Sequence, residues 1–369
     1  MRILYITTIS LTMNSFFKPH IEMLVREGHE VDIACNCNGL ALDDLYNKLG
    51  CKSYQVDFSR SPLSISNFKA FGQLKNIIKN SKYDIVHCHT PNASFITRLV
   101  CRKFRKTKNL KVFYTAHGFH FYKNAPFFNW MVYYPAERFC SRYTDKLITI
   151  NKEDYELAKN KFKAKEVHYV PGVGIDVTKF ENVKVDRKLK RTSIGVPVDS
   201  IVLTSVGELI ERKNHKIVLN TLAEMNNKNI HYLIVGKGEL FSELTEIAKK
   251  KHISDQVHFL GYRTDIAEIY KISDICCLPS IHEGLPVALM EAMICGLPAV
   301  CSRIRGNTDL IDDNGGSLFN ARDTKECQLA INKVLNGDKQ HMGAYNQNFI
   351  KNFSLEKVLC DMKTIYSID

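Results

Sequence analysis

The sequence predicts an α/β protein made of two doubly wound parallel sheets in tandem. Three observations carry this. Short β-rich runs alternate with amphipathic helical stretches along nearly the whole chain, the alternation breaks once and then restarts, and 369 residues leave room for two domains of ordinary size. In the first half the strand candidates are Ile3 to Thr7, Val31 to Cys35, Ser53 to Val56, Ile85 to His89, Val112 to His117, Leu147 to Ile150 and Val167 to Val170. Helices such as Pro19 to Glu27 and Phe68 to Lys79 lie between them. The break comes at Pro171-Gly172-Val173-Gly174-Ile175-Asp176 and the charged, weakly periodic Glu181 to Arg191, which read as a linker. The alternation restarts with Ile201 to Val206, Tyr232 to Val235, Val257 to Leu260, Ile275 to Leu278 and Ala299 to Ser302. The domains expected are 1–186 and 187–350, with 351–369 as a carboxy-terminal helix returning to the first domain. Open parallel sheets bind ligands beyond the carboxyl ends of their strands, so the chemistry is expected in a cleft there.

Composition narrows the function classes. Hydrophobic residues make up 45% and charged residues 24%, as in an average soluble protein, which excludes a disordered chain. No apolar run approaches the roughly 18–20 residues of a membrane span, and the hydroxyl-interrupted start Met1 to Thr8 reads as a first strand, so the chain is expected in the cytosol. The 12 cysteines are scattered through apolar strands with no C-x-x-C pair, and are expected as reduced core residues. The net charge is +12, and residues 1–186 carry almost all of it, with 28 Lys and Arg against 17 Asp and Glu. Such an asymmetry suits contact with an anionic lipid surface, a phosphorylated acceptor or nucleic acid. No nucleic-acid-binding motif accompanies it.

The most informative segment runs from Pro279 to Met293. A strand ends at Ser280, a polar loop follows, and Pro286 suits the first position of a helix. The amides of Leu285, Val287 and Ala288 would then be free, and with the helix dipole they would favour a diphosphate. Glu291 falls in the second turn of an otherwise apolar helix, where a carboxylate needs partners such as vicinal hydroxyls.

Glu283 and Glu291, seven residues between them, with Gly284-Leu285-Pro286 inside, resemble the signature of family 4 retaining glycosyltransferases. Val206-Gly207, Arg212-Lys213-Asn214, Leu260-Gly261-Tyr262, Ser273-Asp274 and Cys295-Gly296-Leu297-Pro298 follow the family's order, so the resemblance covers nearly the whole chain. The stretch from Thr115 to Phe121, with Ile150 to Asp154 and Pro171 to Asp176, is similar to the branch that builds bacterial capsular, exopolysaccharide or O-antigen units.

The resemblance implies the GT-B fold, an acceptor-side first domain, a donor-binding second domain, and transfer from a nucleoside diphosphate sugar with retention. It implies that Lys213 meets the leaving diphosphate. Many members carry a second cation where this chain has Glu208, and Arg212 is the nearby candidate for it. His117 is implied at the donor sugar, Glu283 at its hydroxyls, and Glu291 at the ribose. Gly207, Gly284, Leu285, Pro286 and Val287 are implied donor contacts, with Tyr262 and Arg263 near the base. No cofactor or metal is expected: Asp-x-Asp is absent, and His87, His89 and His120 lie on separate strand ends without a ligating carboxylate. UDP-sugar is the expected donor. Gly236-Lys237-Gly238-Glu239 is either half a nucleotide loop or a tight turn.

Ser94 to Lys111 has the make-up of a basic amphipathic helix, and Phe127 to Tyr134 adds an aromatic stripe. They suggest docking on the inner membrane leaflet, as a peripheral protein, to reach a polyprenyl-diphosphate-linked glycan; otherwise the aromatics are core and the cations merely solvated. Two alternatives remain at this stage, a GT-B sugar-nucleotide epimerase and a non-catalytic nucleotide-binding protein. A dinucleotide oxidoreductase is disfavoured because Thr7 to Asn14 contains no glycine.

Overall fold

The computed structural model describes residues 1–367. Its first sheet contains β1 (Arg2–Ile9), β2 (Glu30–Asn36), β3 (Ser53–Gln55), β4 (Ile85–His89), β5 (Lys111–Ala116), β6 (Lys146–Thr149) and β7 (Glu166–Tyr169). The second contains β8 (Ile201–Val206), β9 (Ile230–Val235), β10 (Val257–Gly261), β11 (Ile275–Leu278), β12 (Ala299–Ser302) and β13 (Gly316–Phe319). All neighbours pair in parallel, in the orders β3-β2-β1-β4-β5-β6-β7 and β10-β9-β8-β11-β12-β13. In each sheet the strand order reverses once, between β1 and β4 and between β8 and β11. Helices cannot cover the carboxyl ends there, which leaves a crevice for ligands.

Both faces of each sheet are buried. In the first sheet Leu4, Val86, Val112 and Leu147 feed one core, while Ile3, Ile85, Phe113 and Ile148 feed the other. Successive strand residues point to opposite faces, so near-continuous apolar runs are what a doubly covered sheet requires.

Every strand expected from the sequence forms, and β13 forms besides. Gly316 is needed there for close approach, since a Cβ would lie 2.0 Å from the Ala299 carbonyl oxygen.

Contacts divide the chain into Met1–Gly174 with Glu356–Asp369, and Ile175–Leu355. This division falls at Gly174, ahead of the expected Asp186. Ile175 is already tied to the second unit, its amide donating to the Phe353 carbonyl (3.1 Å) and its carbonyl accepting from the Leu355 amide (2.9 Å). The supposed linker is ordered as well. Arg191 is buried and donates to the carbonyls of Val198, Ser200 and Ile272 and to Asp274, and Arg187 also pairs with Asp274. Helix Leu355–Tyr366 sets Val358, Met362, Ile365 and Tyr366 into the first unit's core, with Lys363 paired to Glu27.

The basic helix expected over Ser94 to Lys111 is Pro91–Thr107, and its apolar face is spent inside the protein. Ile96, Val100 and Cys101 lie in the core. Arg98 is buried against Glu137 (2.8 Å), Arg105 forks onto Asp145 (2.6 and 2.9 Å), and Lys108 donates to the carbonyls of Ile78, Lys79 and Ser81. Only Arg102, Lys103 and Lys106 of this helix form an exposed basic edge. The helix thus packs its apolar face in the core and turns only this basic edge outward. Of the aromatic stripe, Trp130, Tyr133 and Tyr134 pack on the core, whereas Phe127, Phe128 and Met131 are exposed. Among the described residues no helix is long and apolar enough to cross a membrane.

Candidate active site

In the second unit the chain leaves β8 at Gly207 and turns through Glu211–Lys213. Asn214 adopts a left-handed φ of 54° and donates to the carbonyls of Pro279 (3.0 Å) and Ala321 (2.9 Å), while the Ile281 amide donates to the Arg212 carbonyl (2.8 Å). These bonds fasten the 212–214 turn to the loop after β11, at the place where the strand order reverses.

Glu283 of that loop is buried, with Oε1 2.6 Å from Lys213 Nζ and Oε2 2.9 Å from Arg212 Nη1. Burial alone would raise this carboxyl, but Lys213 and Arg212 outweigh it and hold Glu283 below its ordinary pKa. Gly207 makes room for the lysine: a Cβ there would stand 3.0 Å from Lys213 Cε. Glu208 is exposed, and Arg212 and Lys213 both pair with Glu283.

The helix that follows is Val287–Ile294. Pro286, expected as its first residue, is the residue before it, at φ −79° and ψ 111°. The amides of Val287 and Ala288 belong to the first turn and so have no partner within the helix. The dipole gives this end a partial positive charge. Gly284 and Leu285 form the approach. Glu291 is half-buried on this helix, and burial, opposed weakly by Lys179, pushes its carboxyl up to about 7. A carboxylate kept from water is costly until hydrogen-bond donors arrive.

Arg305 was not singled out from sequence. It is buried, with Nε donating to the Glu283 carbonyl (3.2 Å) and Nη2 2.6 Å from His282 Nε2. The next residue, Gly306, has φ +82°, and a Cβ there would lie 2.5 Å from the Gly284 carbonyl oxygen. Together they brace the 282–285 loop from behind. The available signal was a cation-glycine pair just past a strand end.

In the first unit His117 directly follows β5, one residue beyond the strand expected to end with it. Its Nε2 lies 3.1 Å from Nδ1 of the buried His89, and burial lowers its pKa to about 4, so both rings are neutral at pH 7. His89 is stacked on Tyr5 and tilted against Phe17, and its Nε2 has no hydrogen-bond partner among the described residues. His87 is held by Thr115 Oγ1 (2.8 Å) and the Tyr366 hydroxyl. Among the described residues no group of three or more His, Cys, Asp or Glu is placed to share a metal ion.

Tyr262 follows β10 and is exposed, while the Arg263 guanidinium is taken by Asp265 in a bidentate pair (2.8 and 2.5 Å). This turn therefore presents backbone and the Tyr262 ring. Gly236 and Gly238 serve close packing on the β8 loop: Cβ atoms there would lie 1.9 Å from the Gly207 oxygen and 2.3 Å from the Leu209 oxygen.

Comparison with known proteins identifies the family and the fold. The description "Glycosyl transferases group 1" matches residues 186–352, and "Glycosyl transferase 4-like" matches residues 2–151. The chain is 31% identical to the putative glycosyltransferase EpsD of Bacillus subtilis (strain 168), over 99% of this chain and 96% of that one. It is 28% identical to the UDP-Gal:alpha-D-GlcNAc-diphosphoundecaprenol alpha-1,3-galactosyltransferase of Escherichia coli, over 94% and 90%. The crystal structure of Anabaena Alr3699/HepE in complex with UDP and glucose superposes with a TM-score of 0.79 at 16% identity, covering 100% of both chains. The fold class is GT-B, as the motif order implied.

Proposed function

The chain belongs to the group 1, family 4 glycosyltransferases, and on that premise we propose that it moves a sugar, with retention, from a UDP-sugar to a polyprenyl-diphosphate-linked glycan in surface polysaccharide synthesis. The observation that carries the reading is Glu283 clamped by both Lys213 and Arg212 at the carboxyl ends of β8 and β11, beside the start of helix Val287–Ile294. A relative alike over nearly its whole length is named for a UDP-sugar donor and a diphosphoundecaprenol acceptor, which supports the same two substrate classes here.

The difficult step is departure of the diphosphate as the sugar approaches an oxocarbenium ion. In this reading Lys213, Arg212 and the amides of Val287 and Ala288 take up the charge that grows on the leaving phosphate. The bond from C1 to the phosphate oxygen breaks, the acceptor hydroxyl oxygen bonds to C1 on the same face, and its proton passes to the departing phosphate oxygen. Glu283 holds sugar hydroxyls, Glu291 the ribose, and neutral His117 donates or accepts a hydrogen bond at the sugar. No step needs a metal. The reading puts the protein at the inner membrane face, with Arg102, Lys103 and Lys106 and the exposed Phe127, Phe128 and Met131 toward lipid.

The test is a thermal-shift screen against sugar nucleotides, followed by transfer to an undecaprenyl-diphosphate-linked sugar with the product anomer read by NMR. Stabilisation by one UDP-sugar and an axial product linkage from an axial donor are expected. Isomerised donor without a new glycoside would establish an epimerase instead, and stabilisation without any turnover a binding protein.

A further inference from the structure

A cavity of the first unit begins just past His117, at Gly118 to Phe121, without including the His117 side chain, and has no part in the reading above. It measures about 450 Å³, inside the ~300–1,000 Å³ range of small-molecule sites, and its walls are almost wholly apolar. Phe68, Phe71, Phe95, Leu99, Phe119 and Val132 line it, and Tyr114 and Glu137, with Ser64, Asn67, Asn92 and His120, are polar members of its wall. There the Glu137 carboxylate is already matched by buried Arg98, and the Tyr114 hydroxyl reaches Glu137 at 3.3 Å. The cavity therefore offers a ligand apolar contact and little polar demand.

Of its lining residues Leu63 and Phe68 are more than three-quarters exposed. Ile65, two residues past Leu63, and Phe127, Phe128 and Met131 of the helix Phe127–Ser141 that supplies Val132, are exposed as well. A cluster of this kind is left bare in a folded protein when something apolar covers it.

A second cavity of about 240 Å³ adjoins the first, sharing Pro62, Pro91, Asn92, His120 and Tyr133 as walls. Its character is different. Thr8, Thr12, Thr90 and Arg60 line it, and the exposed Arg60 guanidinium has no hydrogen bond or ion pair among the described residues. Thr90 holds a strained φ of 66° there, its Oγ1 2.6 Å from Thr8 Oγ1. Both cavities open at the carboxyl ends of β1, β4 and β5.

An apolar chamber joined to a cationic, hydroxyl-lined one is complementary to a molecule with an unbranched or isoprenoid tail and an anionic head. Resting on the lipid-linked acceptor assigned above, we propose that the first isoprene units of the polyprenyl diphosphate bind in the chamber lined by Phe68, Phe95 and Val132, with its diphosphate beside Arg60. The enzyme then recognises the lipid of its acceptor within the protein, and the exposed rim carries the rest of the chain to the bilayer. Methyl-branched, kinked isoprene units suit a chamber walled by aromatic rings better than a straight saturated chain, because they fill it without leaving voids.

The test is equilibrium binding of farnesyl diphosphate to the full chain in detergent-free buffer below its micellar concentration, beside inorganic diphosphate and dodecyl phosphate. Farnesyl diphosphate is expected to bind at least ~10-fold tighter than either control, and Phe95→Asp is expected to remove that preference. Arg60→Ala is expected to weaken farnesyl diphosphate while leaving farnesol binding as it was. Phe68→Asp, at an exposed position, gives the same readout if Phe95→Asp misfolds, and an unchanged melting transition of the first unit in calorimetry shows that either variant is folded. Equal binding of inorganic diphosphate would reduce the site to its head group and overturn the proposal. Equal binding of dodecyl phosphate, or wild-type affinity in both aspartate variants, would overturn it too. Sugar transfer is measured separately: farnesyl diphosphate binding without transfer would sink the proposed activity and leave the pocket standing, and transfer without binding would do the reverse.

Discussion

Replacing Glu291 by Gln should make the protein more stable and worse at holding its donor, and the stabilisation should depend on pH in a set direction. Burial raises this carboxyl from an ordinary 4.5 to about 7. An acid whose pKa is higher when folded binds its proton more tightly in the native state, so its contribution is fully present below about 4.5 and is lost as pH rises through 7. The interval from 4.5 to about 7 corresponds to about 3 kcal/mol at 1.36 kcal/mol per pKa unit. Glutamine has nearly the same shape and no charge to desolvate. The variant should therefore match wild type near pH 4 and exceed it by about 3 kcal/mol at pH 8, roughly 6–12 °C in the melting temperature of a unit this size. Calorimetry from pH 4 to 8.5 without ligand, following the second unit's transition, is the assay. The same variant should bind UDP more weakly, because ribose hydroxyls are what the ionised carboxylate awaits. A stability difference that does not change with pH would refute the burial argument, and unchanged UDP affinity would refute the assigned role.

Other outcomes follow from the same geometry. Lys213→Ala and Glu283→Gln should each lower kcat for sugar transfer by orders of magnitude, read in steady-state kinetics; wild-type values in both would dismantle the site. Gly207→Ala puts a methyl 3.0 Å from Lys213 Cε, so it should cut turnover with little change in melting temperature, whereas Gly236→Ala, aimed 1.9 Å from the Gly207 oxygen at φ +151°, should destabilise the second unit outright. Wild-type turnover in Gly207→Ala would show that lysine placement is unimportant. His89→Phe keeps the ring stack but frees His117 Nε2, and should lower kcat about tenfold with donor KM unchanged, with His89→Asn recovering part of it through its amide; a loss confined to KM would contradict the positioning role. Because His117 titrates near 4, its protonation should not limit transfer between pH 6 and 9, and an acid limb centred near 6.5 would contradict its burial.

Much of this was legible in the sequence because both sheets are parallel and covered on both faces. Near-continuous apolar runs such as Ile201–Val206 and Ile275–Leu278 then stand out against polar turns, and the Glu283 to Glu291 spacing falls directly after one of them. What was not legible depends on tertiary contact. β13 hides in a glycine pair whose purpose is close approach to Ala299. The unit boundary was displaced because Ile175 bridges to Ser354, far along the chain. Which cations of Pro91–Thr107 are free could not be read, because charge composition does not show that Arg98 and Arg105 have internal carboxylate partners. Arg305 escaped notice since its role is to brace Glu283 and His282 from a loop that carries no recognisable pattern.

A crystal structure of the chain with UDP bears most directly on the account. The pyrophosphate should lie within hydrogen-bonding distance of the Val287 and Ala288 amides and of Lys213, with the ribose hydroxyls on Glu291. Density for the nucleotide anywhere else, or a diphosphate that touches neither those amides nor Lys213, would contradict it.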